Sequence, residues 1–299
     1  MGKKVVIAAL VLFLLLMGIL SLRTVLNPSK QANAQDGAGS VGIIRVEGTI
    51  TGTASGGWSG LSSDADEIMA AIREAARRQD IKAVVLRVNS PGGSSVASQE
   101  IGIELDKLRK TGKPVVTSMG DACASGGYWI ACSTDHIVAN STTLTGSIGV
   151  IMELSNLEGL YGKLGIRQEA IKSGQHKDMG SSARELSDEE RQLLQDMVND
   201  SYQQFLDQVL AGRKGKIDKA KLLSIADGRV LTGKQALDYG LVDSLGNYYD
   251  AVKKAQEMAG LNQDSQVQEL NNTNFWDELI KGGSLRSVLE LGSGPYLKY

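Results

Sequence analysis

A mixed α/β domain built on a parallel sheet is what this sequence predicts, and two patterns carry the prediction. Short runs rich in β-branched residues alternate with stretches whose apolar residues recur at helical spacing. The runs, of which AVVLRVN (residues 83–89) is the clearest, are apolar enough to be buried on both faces. That is the pattern of parallel strands covered by helices. The 299 residues suffice for one large domain or two modest ones. Their 32 basic and 34 acidic side chains leave no basic excess, which gives no support to nucleic-acid binding.

Taken in order, the chain opens with Lys3 and Lys4 ahead of an uncharged apolar run, VVIAALVLFLLLMGILSL, over residues 5–22. Its length nearly matches the roughly 20 residues that cross a bilayer as a helix, and exceeds the about 7–15 of a cleavable signal peptide. A small-residue site, Ala32-Asn33-Ala34, lies well beyond the run, so an uncleaved transmembrane anchor is favoured over cleavage. By the positive-inside rule the paired lysines place residues 1–4 in the cytoplasm and the rest of the chain outside it, although Arg23 and Lys30 weaken the asymmetry. Residues 23–40 read as a linker that becomes small and polar toward its end (QANAQDGAGS).

The folded domain is expected over residues 41–261. GIIRVEGTI (42–50) reads as a strand, 52–60 as a glycine- and serine-rich loop, and 65–78 as an amphipathic helix with Ile68, Ala71, Ile72 and Ala75 on one face. A strand at 83–89, a helix at 94–109, a strand at 114–118 (PVVTS) and a helix at 126–132 follow. Strands are then expected at 136–139 and 147–152. From Ser187 the pattern turns helical. Ser187 and Glu190 have capping-box spacing, and Leu194, Met197, Val198, Tyr202, Phe205, Leu206 and Val209 line one face of a long helix. That face suits either an assembly surface or packing onto its own domain. Shorter helices are expected at 218–226, 233–239 and 248–259, and residues 262–299 read as a tail.

Four stretches carry candidate chemistry. DACASGGYW (121–129) sets Ser125 between small residues and two glycines at a helix start, which suits an exposed nucleophile or an ordinary N-cap. NSPGG (89–93) joins a strand to a helix, and its glycines allow backbone N–H groups to point outward as oxyanion donors, with Gly126 as a second donor. A base is needed, and the chain has only two histidines. His136 has Asp135 beside it, but adjacent strand residues face opposite ways, so Asp135 is badly placed to orient it. His176 lies in KSGQHKD with Lys172 and Lys177, and a lysine serves as base only where burial lowers its pKa. The residues leave histidine and lysine level. LTGSIGV (144–150) supplies Ser147, either a partner for the base or a turn serine. Cys123 and Cys132 match no zinc or redox spacing and read as buried packing, with a disulfide disfavoured and a cysteine nucleophile a minor option.

NSPGG, ASGGYW, LTGSIGV and IKSGQHKD, in this order and spacing, resemble the S49 serine proteases, the signal peptide peptidase A family. The resemblance runs from about Gly42 to Gly260 and extends to the single N-terminal anchor. It implies the spiral ββα fold shared with Clp protease and crotonase, in the short form with one catalytic unit. It implies Ser125 as nucleophile, Lys177 as general base, Ser147 as the residue positioning Lys177, and Gly93 (with Gly92 second) and Gly126 as oxyanion donors. It implies no metal or organic cofactor, signal peptides and other short hydrophobic polypeptides as substrates, and a ring or dome of identical subunits in which dyad partners can come from adjacent copies; whether Lys177 serves its own Ser125 or a neighbour's is left open by the sequence. The alternatives are an acyl-CoA hydratase or isomerase on the same fold, which needs neither the serine nor the anchor, and a non-catalytic membrane scaffold.

Overall fold

The longest apolar runs become neighbouring strands of one sheet. The computed structural model describes residues 39–52 and 62–271. The expected anchor, the linker up to residue 38, nearly all of the 52–60 loop and most of the tail lie outside the described residues. In chain order come β1 (Ser40–Glu47), β2 (Thr49–Thr51), β3 (Ser62–Asp64), α1 (Ala65–Arg77), β4 (Ile81–Ser90) and α2 (Ser95–Arg109). They are followed by β5 (Val115–Ala124), α3 (Gly126–Ala131), β6 (His136–Ala139) and β7 (Leu144–Gly146). An exposed arm containing α4 (Glu158–Lys163) leads to α5 (Asp188–Gly212) and α6 (Lys219–Leu223). Then come β8 (Val230–Thr232), α7 (Gly233–Tyr239), β9 (Ser244–Leu245), α8 (Tyr248–Met258) and β10 (Val267–Glu269).

The main sheet runs β10-β1-β4-β5-β6-β9, and every pairing along that path is parallel. Alternate residues of β1 and β4 serve its two faces. Ile44, Val46, Val84, Leu86 and Val88 join Ile68 and Ile72 of α1 and Ile101 and Leu105 of α2 in the larger core. Val41, Ile43, Ala83 and Val85 face Ala251, Val252 and Ala255 of α8. Burial on both faces explains why residues 83–86 of β4 and 43–44 of β1 are apolar without alternation. Arg213, at the end of α5, is fully buried too, and it pairs through both terminal nitrogens with Asp243 at 2.8 and 2.9 Å.

Three features differ from the sequence reading, and the first two shape the site. First, β5 continues through DACA to Ala124 instead of ending at Ser118. Its first half pairs with β6 and its last three residues pair with β7, after a register shift against β4 between Val88 and Ser90. Second, the strand expected at 147–152 lies instead at Leu144–Gly146. Gly146 and Ser147 have φ of 75° and 50°, and a strand cannot run through two such residues. Third, residues 267–269, beyond the expected boundary at 261, form β10 against β1.

The capping box of α5 is present, with Ser187 and Glu190 bonded reciprocally. The expected apolar face of this helix packs onto its own domain in the second half of the helix only. Phe205, Leu206 and Val209 are buried in the domain core, whereas Met197 is 51% exposed. Among the described residues no helix is long and apolar enough to cross a membrane.

Candidate active site

Ser125 is the hinge between β5 and α3, with φ 51° and ψ −122°. Among the described residues only Ser125 and Ser147 have positive φ without being glycine. Such a backbone costs about 1–3 kcal/mol and persists only where its surroundings dictate it. Here Ser125 N–H donates to Gly146 O at 2.9 Å, and Ser125 O accepts from Trp129 N–H at 2.9 Å. Ser125 holds the N-cap position, yet its hydroxyl makes no capping bond. A capping serine has extended backbone geometry that turns its oxygen toward the helix amides, and the positive φ removes that option. The N-cap reading of Ser125 is therefore corrected. Its side chain lines a cleft of about 250 Å³ whose walls include Val96, Trp129, Val150, Ser201 and Phe205. Trp129 and Phe205 stack at 5.2 Å between centroids.

The glycines of NSPGG lie against this hinge. A Cβ on Gly92 would come within 2.7 Å of Gly126 N and 2.8 Å of Ser125 Cβ, so only glycine permits the approach. The Gly92 N–H donates to Ser90 Oγ at 3.1 Å. The next residue is pinned from its far side: Ile50 N–H donates to Gly92 O and Ser94 N–H donates to Ile50 O, each at 2.9 Å. Gly93 thus forms an isolated parallel bridge with Ile50 while its own N–H stays out of the ladder. Gly126 stands close enough that a Cβ there would lie 3.3 Å from Gly93 N. Neither the Gly93 nor the Gly126 N–H donates a hydrogen bond among the described residues. Two free amides beside a free hydroxyl are what stabilisation of a tetrahedral oxyanion requires.

Ser147 follows β7 directly, and β7 is the partner of the last three residues of β5. Its N–H donates to Arg229 O at 2.8 Å, which ties it to the start of β8. Lys177 lies elsewhere, on the arm between Ile148 and Glu190, where no residue is buried. Its own side chain is exposed, not buried, and is absent from the walls of the Ser125 cleft. The single chain therefore brings Ser125, Gly93, Gly126 and Ser147 into one neighbourhood and leaves Lys177 outside it.

Asp135, His136 and the cysteines are engaged or sealed, and His176 lies on the same arm as Lys177, outside the Ser125 cleft. Asp135 accepts from Arg109 Nε at 2.8 Å and from Val115 N–H at 2.9 Å, and so does not orient His136. His136 Nε2 bonds Ser244 Oγ at 3.0 Å, and burial lowers its pKa. His176 Nε2 lies 3.7 Å from Glu189. Both cysteines are free and buried. Burial raises the Cys123 thiol strongly and pushes Cys132 up to about 12, so neither is a thiolate at neutral pH. Ile50 as a strap and Trp129 and Phe205 as cleft walls escape sequence reasoning, although Phe205 falls on the predicted apolar face of α5.

A strand-end serine with a free hydroxyl beside two free amides defines the acyl-transfer class of sites. The chain belongs to peptidase family S49, whose profile matches residues 107–262. It is 50% identical over 182 residues to a candidate protease of Synechocystis, covering 61% of this chain and 65% of that one. To Protease 4 of Haemophilus influenzae it is 36% identical over 240 residues, 80% of this chain and 38% of the relative. To a candidate signal peptide peptidase of Enterococcus faecium it is 34% identical over 253 residues, 83% and 72% of the two chains. The chain thus spans less than two thirds of the length of the first two. A solved structure of a membrane-bound stomatin-specific protease superimposes with a TM-score of 0.51 at 16% identity, over 79% of this chain and 99% of that one, which shows a shared fold.

Proposed function

We propose that this protein is a serine endopeptidase with a Ser–Lys dyad, built on the spiral fold of Clp protease and crotonase. Ser125 Oγ attacks the scissile carbonyl carbon while Lys177 Nζ takes its proton. The oxyanion that forms is held by the Gly93 and Gly126 N–H groups. Collapse of the intermediate breaks the C–N bond, the amine leaves with the proton from Lys177, and an acyl-Ser125 ester remains. Water then attacks the ester, Lys177 takes the water's proton, and the acid product leaves as Ser125 regains its hydrogen. Ser147 positions Lys177.

The observation that carries this reading is Ser125 itself, strained, uncapped and flanked by two free amide donors. Gly93 is favoured over Gly92 as donor because the Gly92 amide is already bonded to Ser90. Lys177 reaches Ser125 from a second copy of the chain. The arm supports that part, since it exposes Ile151, Leu164 and Ile171 at 81%, 63% and 101%, apolar side chains that a second copy would cover. The substrates are remnant signal peptides and other short hydrophobic polypeptides, which suits a cleft walled by Val96, Trp129 and Phe205. The chain is held by the run at residues 5–22 in the cell membrane, with the catalytic domain on the extracytoplasmic side.

The test is peptide hydrolysis by the full-length protein. Ser125→Ala and Lys177→Ala should each lower kcat by at least about 10³-fold. A mixture of the two inactive variants should recover part of the activity, because each supplies what the other lacks across an interface. Full activity in either single variant would refute the dyad, and a mixture that stays dead would refute its sharing.

A further inference from the structure

The segment that carries Lys177 has no buried residue and is held mainly by local turns: Lys177 N–H to Gly174 O, Met179 N–H to His176 O and Ser181 N–H to Asp178 O. The residue next to Lys177 is the exception. The Asp178 carboxylate accepts from Arg184 Nε at 3.0 Å and Nη2 at 2.8 Å, and from Lys172 Nζ at 2.6 Å. The same guanidinium grips a second carboxylate, donating from Nη1 and Nη2 to Glu190 at 2.8 and 2.6 Å. Glu190 is buried in the first turn of α5, where it also accepts from Ser187 N–H at 3.0 Å. Arg184 therefore ties the loop of Lys177 to the start of the helix whose other end walls the Ser125 cleft.

The arrangement also decides where the nearest negative charge goes. Arg184, and after it Lys172, holds the Asp178 carboxyl well below the usual carboxylate range. Arg184 and the Ser187 amide hold Glu190 down to about 2. Both are anions throughout the range in which a peptidase works, and both are engaged. Lys177 makes no ion pair among the described residues. The other charged groups of the segment and the start of α5 are His176, Glu185, Asp188, Glu189 and Arg191. Glu189 is engaged by Gln175 Nε2 at 3.2 Å and lies 3.7 Å from His176.

A carboxylate within about 4–6 Å of an amine favours the ammonium, which cannot act as base. We propose that Arg184, assisted by Lys172, is a positioning residue that withholds the Asp178 carboxylate from Lys177 and registers the base on α5. This rests on Lys177 being the base, as proposed above.

The test is kcat/KM for a fluorogenic peptide against pH, measured on the full-length protein, because its acid limb reports the base of the free enzyme. In Arg184→Gln the limb should move up by about one pH unit as Asp178 pairs with Lys177. Lys172→Gln, a change on the surface, should move it the same way by less. The double variant R184Q/D178N should bring the limb back, since no carboxylate remains to capture the amine. A purely structural role for Arg184 predicts a lower kcat with the limb in place, and that result would overturn the proposal. So would a displaced limb that persists in the double variant. If R184Q does not fold, the sign of the Lys172→Gln shift decides. Lys177→Ala keeps the two readings apart: activity retained there removes the dyad, whereas activity lost there with an unmoved limb in R184Q removes only the clamp.

Discussion

Ser90, Ser98, Cys123, Tyr128 and Thr145, which surround the strand end at Ser125, are all buried, whereas no residue between Ile148 and Glu190 is. The first region is held by pairings between segments distant in sequence: β4 with β5, β5 with β7, Ile50 with Gly93. The second is held by short turns and by ion pairs, with its apolar side chains facing outward. A nucleophile and its oxyanion donors must keep fixed geometry, which a sheet provides. In the proposed mechanism the base is delivered by a part of the chain whose stability comes mostly from what it docks against. The contrast therefore predicts that substitutions in the first region damage stability and chemistry together, while those in the second leave the fold intact.

The largest effect should come from the buried end of the sheet region. Arg213→Met removes the buried partner of Asp243 and leaves the half-exposed Lys216 as its remaining counter-ion, which costs up to about 3–5 kcal/mol. Urea denaturation at pH 7 would measure it, and a loss below about 1 kcal/mol would mean that this pair does not brace the sheet. The pair also sets an acid dependence. Burial alone would raise the Asp243 carboxyl, but Arg213 and Lys216 outweigh burial and hold it below its ordinary 3.8. A depressed folded value means that the stabilisation is complete above the unfolded value and fades as pH falls through the folded one. Wild type should accordingly lose stability below about pH 4. Arg213→Met should lose less over the same interval.

Next in size is Gly93→Ala. Its φ of 154° and the clash of a Cβ with Ile50 O force the loop to shift. Displacing one oxyanion donor costs about 10²–10³-fold in kcat. Wild-type turnover in this variant would rule Gly93 out as a donor. Ser187→Ala sits at the junction of the two regions and removes half of a capping box, worth about 1 kcal/mol. Hydrogen exchange should rise in the first turn of α5 and along the arm, with β4 and β5 unchanged; faster exchange in β4 would show that the regions are not separable. Smallest is Ile171→Ser on the fully exposed arm, which should change stability by no more than about 0.5 kcal/mol. The same variant should shift sedimentation toward smaller species, and an unchanged profile would argue against Ile171 as a contact between copies.

The legible parts of the sequence were those governed by local rules. Helical periodicity located α1, α2 and α5, β-branched runs located β4 and β6, and capping-box spacing gave the start of α5. Ser125 and the NSPGG glycines have the ordinary composition of strand-to-helix turns, and it is the order and spacing of the four motifs together that singles them out. What stayed hidden depends on contacts across the chain. β5 reads as ending at Ser118 because DACA is small and partly polar, and its extension to Ala124 rests on pairing with β7 and, at Cys123, with Ser90 of β4. β8 and β10 are three residues each and carry no periodicity of their own. The exposure of Lys177 could not be read from KSGQHKD, since nothing in that string says whether the neighbouring surface is covered.

Cys123 stands two residues before Ser125 in β5, and Cys132 closes α3 on the other side. Both thiols are sealed, and their raised pKa values keep them unreactive while the sheet is intact. A thiol-specific reagent will therefore label Cys123 only when the strand that ends at Ser125 opens. The rate of that labelling measures how often the support of Ser125 comes apart, a clock carried by the protein itself and readable without a substrate.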